Sequence, residues 1–155
     1  MRLAVDVGSV RVGVARSDPD GILAVPEATL GRDDTTGRRI VALIEEYSAS
    51  RVYVGLPLTL AGEEGIAARS AREFAEDLAV VVPCEVRLVD ERLSTVEAQR
   101  ALRDAGRSTR DSRSVIDQAA AVLVLEHALS VERATGNPAG FAVTVRGGVE
   151  GEARS

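Results

Sequence analysis

Lysine and tryptophan are absent, histidine and cysteine occur once each, and Tyr47, Tyr53, Phe74 and Phe141 are the only aromatic residues in a chain of 155. So few rings cannot supply the stacking platforms on which single-strand binders lay successive bases, which speaks against modules that work that way. Cys84 alone can form no intramolecular disulfide and finds no second thiolate for a metal site, as fits a reducing cytoplasm. No run approaches the ~18 apolar residues of a membrane span, and Asp6 interrupts the N-terminal stretch before a signal core can form, so a cytoplasmic protein is expected. Basic charge is modest too: 19 arginines stand against 24 acids, a net charge of −5. Bulk electrostatics therefore cannot coat nucleic acid, and any polyanion site must be local. The all-arginine usage follows as readily from GC-rich coding as from selection for bidentate phosphate recognition.

What is there reads as one folded domain. Hydrophobic residues make up 45% and charged residues 28%, an ordinary globular balance at the length of a single core. Residues 2–7, 11–16 and 22–25 alternate as strands, punctuated by Val7-Gly8-Ser9-Val10 and Asp18-Pro19-Asp20-Gly21, which predicts an antiparallel meander. The period then changes: Ile40, Leu43, Ile44 and Tyr47 fall at helical spacing, a short apolar strand follows at 51–55, and 62–80 reads as a helix with Ile66, Ser70, Ala71, Phe74 and Leu78 on one stripe. A strand at 85–89 leads to Ser94-Thr95-Val96-Glu97, a capping box opening a helix to about 105, and a last helix spans about 114–133. Right-handed crossovers make the first, fourth and fifth strands parallel neighbours. Glycines and Pro138 fill the remainder, 134–155, which is expected as a loose tail with one short edge strand at 141–145.

Three acids stand out. Asp6 interrupts Leu3-Ala4-Val5-Asp6-Val7, a strand expected at the centre of the sheet, where a buried carboxylate costs several kcal/mol unless a metal, Arg11 or turn amides near Gly8 compensate. Glu91 lies just past the carboxyl end of a strand, where open sheets keep their binding crevices. Alternation aligns it with Val89 and Arg87 and points Asp90 the other way, and a one-residue shift would exchange the two carboxylates. Asp117 is expected in the first turn of the last helix, sharing a face with Ala120, Ala121 and Val124; there it also complements the helix dipole by roughly 0.3–1 kcal/mol. Acids from a central strand, a neighbouring strand end and an abutting helix suit a hard divalent cation, and a pair of such ions suits phosphodiester hydrolysis.

The segments Asp6-Val7-Gly8-Ser9-Val10-Arg11-Val12-Gly13-Val14-Ala15, Val54-Gly55-Leu56-Pro57-Leu58, Asp90-Glu91-Arg92-Leu93-Ser94-Thr95 and Ile116-Asp117-Gln118-Ala119-Ala120-Ala121 resemble, in order and spacing, the YqgF-type (RuvX) family of RNase H-like nucleases. The resemblance implies an α/β, RNase H-like domain over 1–133, with a five-stranded mixed sheet flanked by helices. It implies a nuclease that uses Mg²⁺ or Mn²⁺ and processes the 5′ end of pre-16S rRNA, with Holliday-junction resolution as the competing assignment. Its catalytic and metal-binding triad falls on Asp6, Glu91 and Asp117, with Arg11 and Arg92 as phosphate or carboxylate partners. Positions that are commonly lysine in the family are Val10 here and, before the last helix, Arg110 or Arg113, so phosphate contacts pass to arginine. The partner implied is structured RNA or branched DNA, without a membrane, and junction cutting would call for a homodimer.

Other readings stay in view. Between 92 and 113 six arginines face three acids, a net of +3, which flanks the implied site or else forms a solvated helix face with pairs at i, i+3. An actin-like or sugar-kinase nucleotide binder also begins with Asp-x-Gly, but needs two such domains. A non-catalytic ribosome-assembly adaptor would keep the fold with an idle site. His127 lies ten residues past Asp117 along a helix, ~15 Å away, and Cys84 has no histidine beside it, so both read as packing residues.

Overall fold

In a computed structural model, residues 1–59, 61–90 and 110–143 are described, the stretch 110–117 by its backbone alone. Strands β1 (Arg2–Val7), β2 (Arg11–Ser17) and β3 (Ala24–Gly31) precede helix α1 (Thr36–Tyr47) and strand β4 (Arg51–Leu56). Helix α2 (Ile66–Val81), strand β5 (Glu85–Asp90), helix α3 (Arg110–Thr135) and a two-residue strand β6 (Phe141–Ala142) follow. The sheet order is β3-β2-β1-β4-β5-β6. The first three strands form the antiparallel meander, while β4 pairs parallel with β1, and β5 with β4. Parallel neighbours need crossovers, and α1 and α2 supply them. Beside the five strands expected of the domain, β6 lies where a short edge strand was expected at 141–145 and pairs antiparallel with β5 at the sheet's edge.

Side-chain alternation sorts the sheet into two faces. Leu3, Val5, Val12, Val14, Val52, Val54, Val86 and Leu88 pack with Ile40 and Ile44 of α1 and with Ala68, Ala75 and Leu78 of α2. Ala4, Ala15, Tyr53 and Val89 face the other way, against Ala121, Val124, Leu125, Ala128 and Leu129 of α3. Small residues on both sides of that second interface let α3 lie close to the sheet.

Three element boundaries differ from the sequence reading. The third strand was expected at 22–25 and runs Ala24–Gly31, through Pro26. Proline is tolerated because β3 is an edge strand and Pro26 faces Ala15, where the ladder slips register. Helix α2 starts at Ile66 rather than 62, and Ile66 is 87% exposed. Ala71 and Leu78 of the expected stripe are buried and Phe74 packs partly buried against the core, while Ala68 and Ala75 complete the buried face, alanines whose weak hydrophobicity hid them behind larger neighbours. Helix α3 is already formed at Arg110 and continues to Thr135, so Asp117 lies at least seven residues into it, not in its first turn. Arg110 and Arg113 are therefore on the helix rather than before it.

Past α3, the chain turns through Gly136 at φ +74, whose N–H donates to the Glu132 carbonyl at 2.8 Å, and returns to the sheet. Ala139 is buried, Arg87 donates to the carbonyls of Ala139 (2.6 Å) and Gly140 (2.8 Å), and the Val143 N–H donates to the Val86 carbonyl (2.9 Å). Gly140 has φ +63, and a Cβ there would stand 1.9 Å from the Leu88 carbonyl oxygen, so only glycine seats this strap against β5.

Candidate functional site

Asp6 stands at the carboxyl end of β1, on the face that α3 covers, and is half-buried rather than enclosed. It pairs across β2 with Gly13, and Gly13 pairs in turn with Thr29 on β3. On the opposite flank the β1–β4 ladder ends at Val5–Val54, and the next β4 residue is Gly55, which pairs with Val89. The carboxylate thus has a residue without a side chain on either hand. Both glycines are buried, so the backbone beside Asp6 is enclosed although no side chain stands there.

Helix α3 crosses this row. Gln118 Nε2 donates to Thr29 Oγ1 at 2.9 Å, which ties the helical turn that contains Asp117 to the same transverse row as Asp6, two strands or ~10 Å across the sheet. Position 117 also shares the helical stripe of Ala121 and Val124, which face the sheet. Glu91 and Arg92 lie outside the described residues, as do the side chains of Arg110, Arg113 and Asp117. Among the described residues no group of three potential ligands gathers to hold a metal. Val89, the strand residue with which alternation aligns position 91, packs on the α3 face, the face of Asp6. Asp90, at the end of β5, is half-buried and has a partner of its own.

Arg11 begins β2, and alternation sets it on the same face as Gly13 and Ala15, hence as Asp6. Both Asp6 and Arg11 have partners within the fold. The turn between them is tight: the Gly8 N–H donates to the Arg11 carbonyl at 2.9 Å, and a Cβ on Gly8 would meet that oxygen at 2.7 Å. Arg32 reaches this turn from the end of β3 and donates to the Gly8 carbonyl at 2.9 Å. Nothing in the sequence pointed to Arg32, because its side-chain partners lie 24 and 38 residues away along the chain.

The opposite end of the sheet is ionic. Glu132 Oε2 near the end of α3 accepts from Arg2 Nε (3.1 Å), from Arg51 Nη1 (3.1 Å) and from the hydroxyl of fully buried Tyr53. Arg51 is also paired with Glu85 at 2.8 Å. Burial opposes ionisation of Glu132, but the hydrogen bonds from Tyr53 and Arg2 and the charges of Arg2 and Arg51 outweigh it and hold the pKa below its ordinary value. Cys84, half-buried beside the α1–α2 core, has its thiol pKa pushed up chiefly by burial. No helix among the described residues is long and apolar enough to cross a membrane.

The chain is similar along nearly its whole length to known proteins. A relative from Streptomyces avermitilis is 52% identical over 147 residues, covering 93% of this chain and 94% of its own. One from Thermobifida fusca is 53% identical over 148 residues, covering 90% and 93%. A third, from Clavibacter michiganensis, is 51% identical over 145 residues, covering 92% and 90%. All three carry the name of a candidate pre-16S rRNA nuclease. Among solved structures, T. thermophilus RuvC in complex with a Holliday junction substrate matches with a TM-score of 0.51 over 89% of this chain and 99% of that one. At 12% identity this is a likeness of fold, the α/β architecture expected from the sequence. The sequence pattern of the family described as a Holliday junction resolvase, RuvX, matches residues 1–131, and the chain belongs to that family.

Proposed function

We propose that this protein is a metal-dependent nuclease of the cytoplasm that hydrolyses phosphodiester bonds in structured RNA, trimming the 5′ end of pre-16S rRNA. The observation that carries the reading is the row Asp6–Gly13–Thr29 beneath Gln118, which supports a meeting of the strand-end carboxylate with the helical turn of Asp117. The names of the relatives supply the substrate.

A hard divalent ion fits the donor chemistry: a carboxylate at a strand end is the kind of oxygen ligand such an ion takes, with waters completing its shell. Asp6, Glu91 and Asp117 would hold one or two Mg²⁺ or Mn²⁺ ions. Such ions supply, when bound, an activated water and stabilisation of the departing oxygen. The chain's own residues do the rest. Arg11, on the face of Asp6, and Arg92, Arg110 and Arg113 bind substrate phosphates on either side of the scissile bond, where a planar guanidinium engages two phosphate oxygens at once. Binding is thereby local, within a chain of net charge −5.

The test uses one preparation against paired RNA substrates and four-way DNA junctions in Mg²⁺ and in Mn²⁺. Asp6→Asn and Asp117→Asn should each lower cleavage about a hundredfold or more with far-ultraviolet circular dichroism unchanged. Undiminished cleavage by either variant would remove that residue from the site. The family description favours a second reading, resolution of Holliday junctions by a homodimer. Junction cleavage with no cleavage of RNA, at a solution mass of two chains, would establish it in place of the first.

A further inference from the structure

Arg32 has no part in the chemistry above, yet both its backbone and its side chain bond to the turn that follows Asp6. Its Nη1 donates to the Gly8 carbonyl at 2.9 Å and to Ser70 Oγ on α2 at 2.8 Å. Its guanidinium lies over the Phe74 ring of α2, 5.6 Å from the centroid. Its backbone N–H donates to the Val10 carbonyl at 2.9 Å. The Gly8–Arg11 turn is thus held internally by its own hydrogen bond and externally by two from Arg32, one through the backbone and one through the side chain.

We infer that Arg32 is a positioning residue: it ties the turn joining Asp6 to Arg11 to helix α2 and so fixes the distance and orientation between those two groups. This rests on the proposed function for its effect on cleavage, though not for its effect on the turn. Both hydrogens of Nη1 are used inside the protein, on a backbone carbonyl and a hydroxyl, so that nitrogen is committed to the fold rather than to substrate. Lysine cannot replace it. The ammonium sits about one bond short of the arginine Nη1 and has no planar face to lay on Phe74. Serine at 70 is the hydrogen-bonding anchor on the helix side, and alanine there leaves Arg32 tied to α2 by the Phe74 ring alone while its bond to the Gly8 carbonyl remains.

The experiment compares Arg32→Met, Arg32→Lys and Ser70→Ala with the unaltered chain, well below every melting temperature, by steady-state cleavage and by amide hydrogen exchange. Arg32→Met should lower kcat about ten- to a hundredfold, as small misplacements of reacting groups do, with KM held within about twofold. Arg32→Lys should fall between the two, and Ser70→Ala should lose less, in the same direction. Exchange at the amides of 8–11 should quicken about tenfold or more in Arg32→Met, while the α1 amides stay unchanged. A raised KM with unchanged kcat and a flatter salt dependence would make Arg32 a phosphate contact instead and overturn the inference. So would unchanged exchange at 8–11. Should Arg32→Met fail to fold, Arg32→Lys and Ser70→Ala give the same two readouts. Should the unaltered chain cut neither RNA nor junctions, the functional reading fails by itself, and the exchange measurement alone decides for or against Arg32.

Discussion

Replacing Glu132 should be the most costly single change at the ionic end of the sheet. One carboxylate oxygen there serves Arg2, Arg51 and the Tyr53 hydroxyl, with the Glu132 side chain 17% exposed and the arginines 28% and 20%. Alanine at 132 leaves the Tyr53 hydroxyl without an acceptor in a fully buried residue, about 1–3 kcal/mol, and takes a charged partner from two half-buried guanidinium groups. Arg51 keeps Glu85, and Arg2 keeps Ser50 Oγ at 2.8 Å, which limits the loss on each. The sum is about 3–5 kcal/mol, in the range seen when one member of a buried charged pair is removed. For a chain of this size that is about a 10 °C fall in melting temperature. Glutamine, which keeps the shape and an acceptor but no charge, should cost about half as much. Urea denaturation followed by circular dichroism measures both, and a double-mutant cycle with Tyr53→Phe isolates the hydroxyl contact. The pH dependence has a fixed sign. Glu132 is lowered in the folded state, so its contribution is full above the unfolded value of roughly 4.3 and is lost as pH falls through the folded value. The curves of the unaltered chain and of Glu132→Gln must therefore converge in acid. A loss under about 1 kcal/mol for Glu132→Ala at neutral pH, or a difference from Glu132→Gln that grows in acid, would refute the reasoning.

Two further outcomes follow from other parts of the fold. Gly140→Ala combines φ +63 with a Cβ driven into the Leu88 carbonyl, so the 139–143 strap should lift from β5, at about 2–4 kcal/mol in urea and with faster exchange at the Val143 amide. A variant as stable as the parent would mean that the strap is not seated as described. The Cys84 thiol, raised by burial, should alkylate several-fold more slowly than free cysteine at pH 8 and gain on it above pH 9; equal rates by mass spectrometry would contradict the packing.

Local signals carried much of the architecture. Glycine- and aspartate-rich turns marked the meander, and the switch from period 2 to period 3.6 after residue 33 marked the crossover that makes β1, β4 and β5 parallel. Alternation aligned position 91 with Val89, and the structure places Val89 on the α3 face. Where the reading slipped, a tertiary circumstance decided. Pro26 looks like a strand end until β3 is known to be an edge, and Ile66 looks like core until the alanines of α2 are seen to face the sheet. Glu132 and Arg32 were illegible for another reason. Their partners are gathered from 130, 81 and 79 residues away for the first, and 38 and 24 for the second, and no local pattern encodes such a meeting. Of the triad that the resemblance implies, Asp6 is half-buried at its strand end, Asp117 sits deeper in its helix than its spacing implied, and Glu91 lies outside the described residues.

The ionic cluster around Glu132 and the carboxylate of Asp6 occupy opposite ends of the same short strand, Arg2 and Asp6 being four residues or ~13 Å apart along β1. A lineage moving into hotter or more acidic surroundings could rebuild the first end, exchanging its arginines and glutamates, without retuning the end proposed to be reactive. Selection for endurance and selection for turnover would then act on separate codons, and directed evolution of this domain can treat them as independent dials.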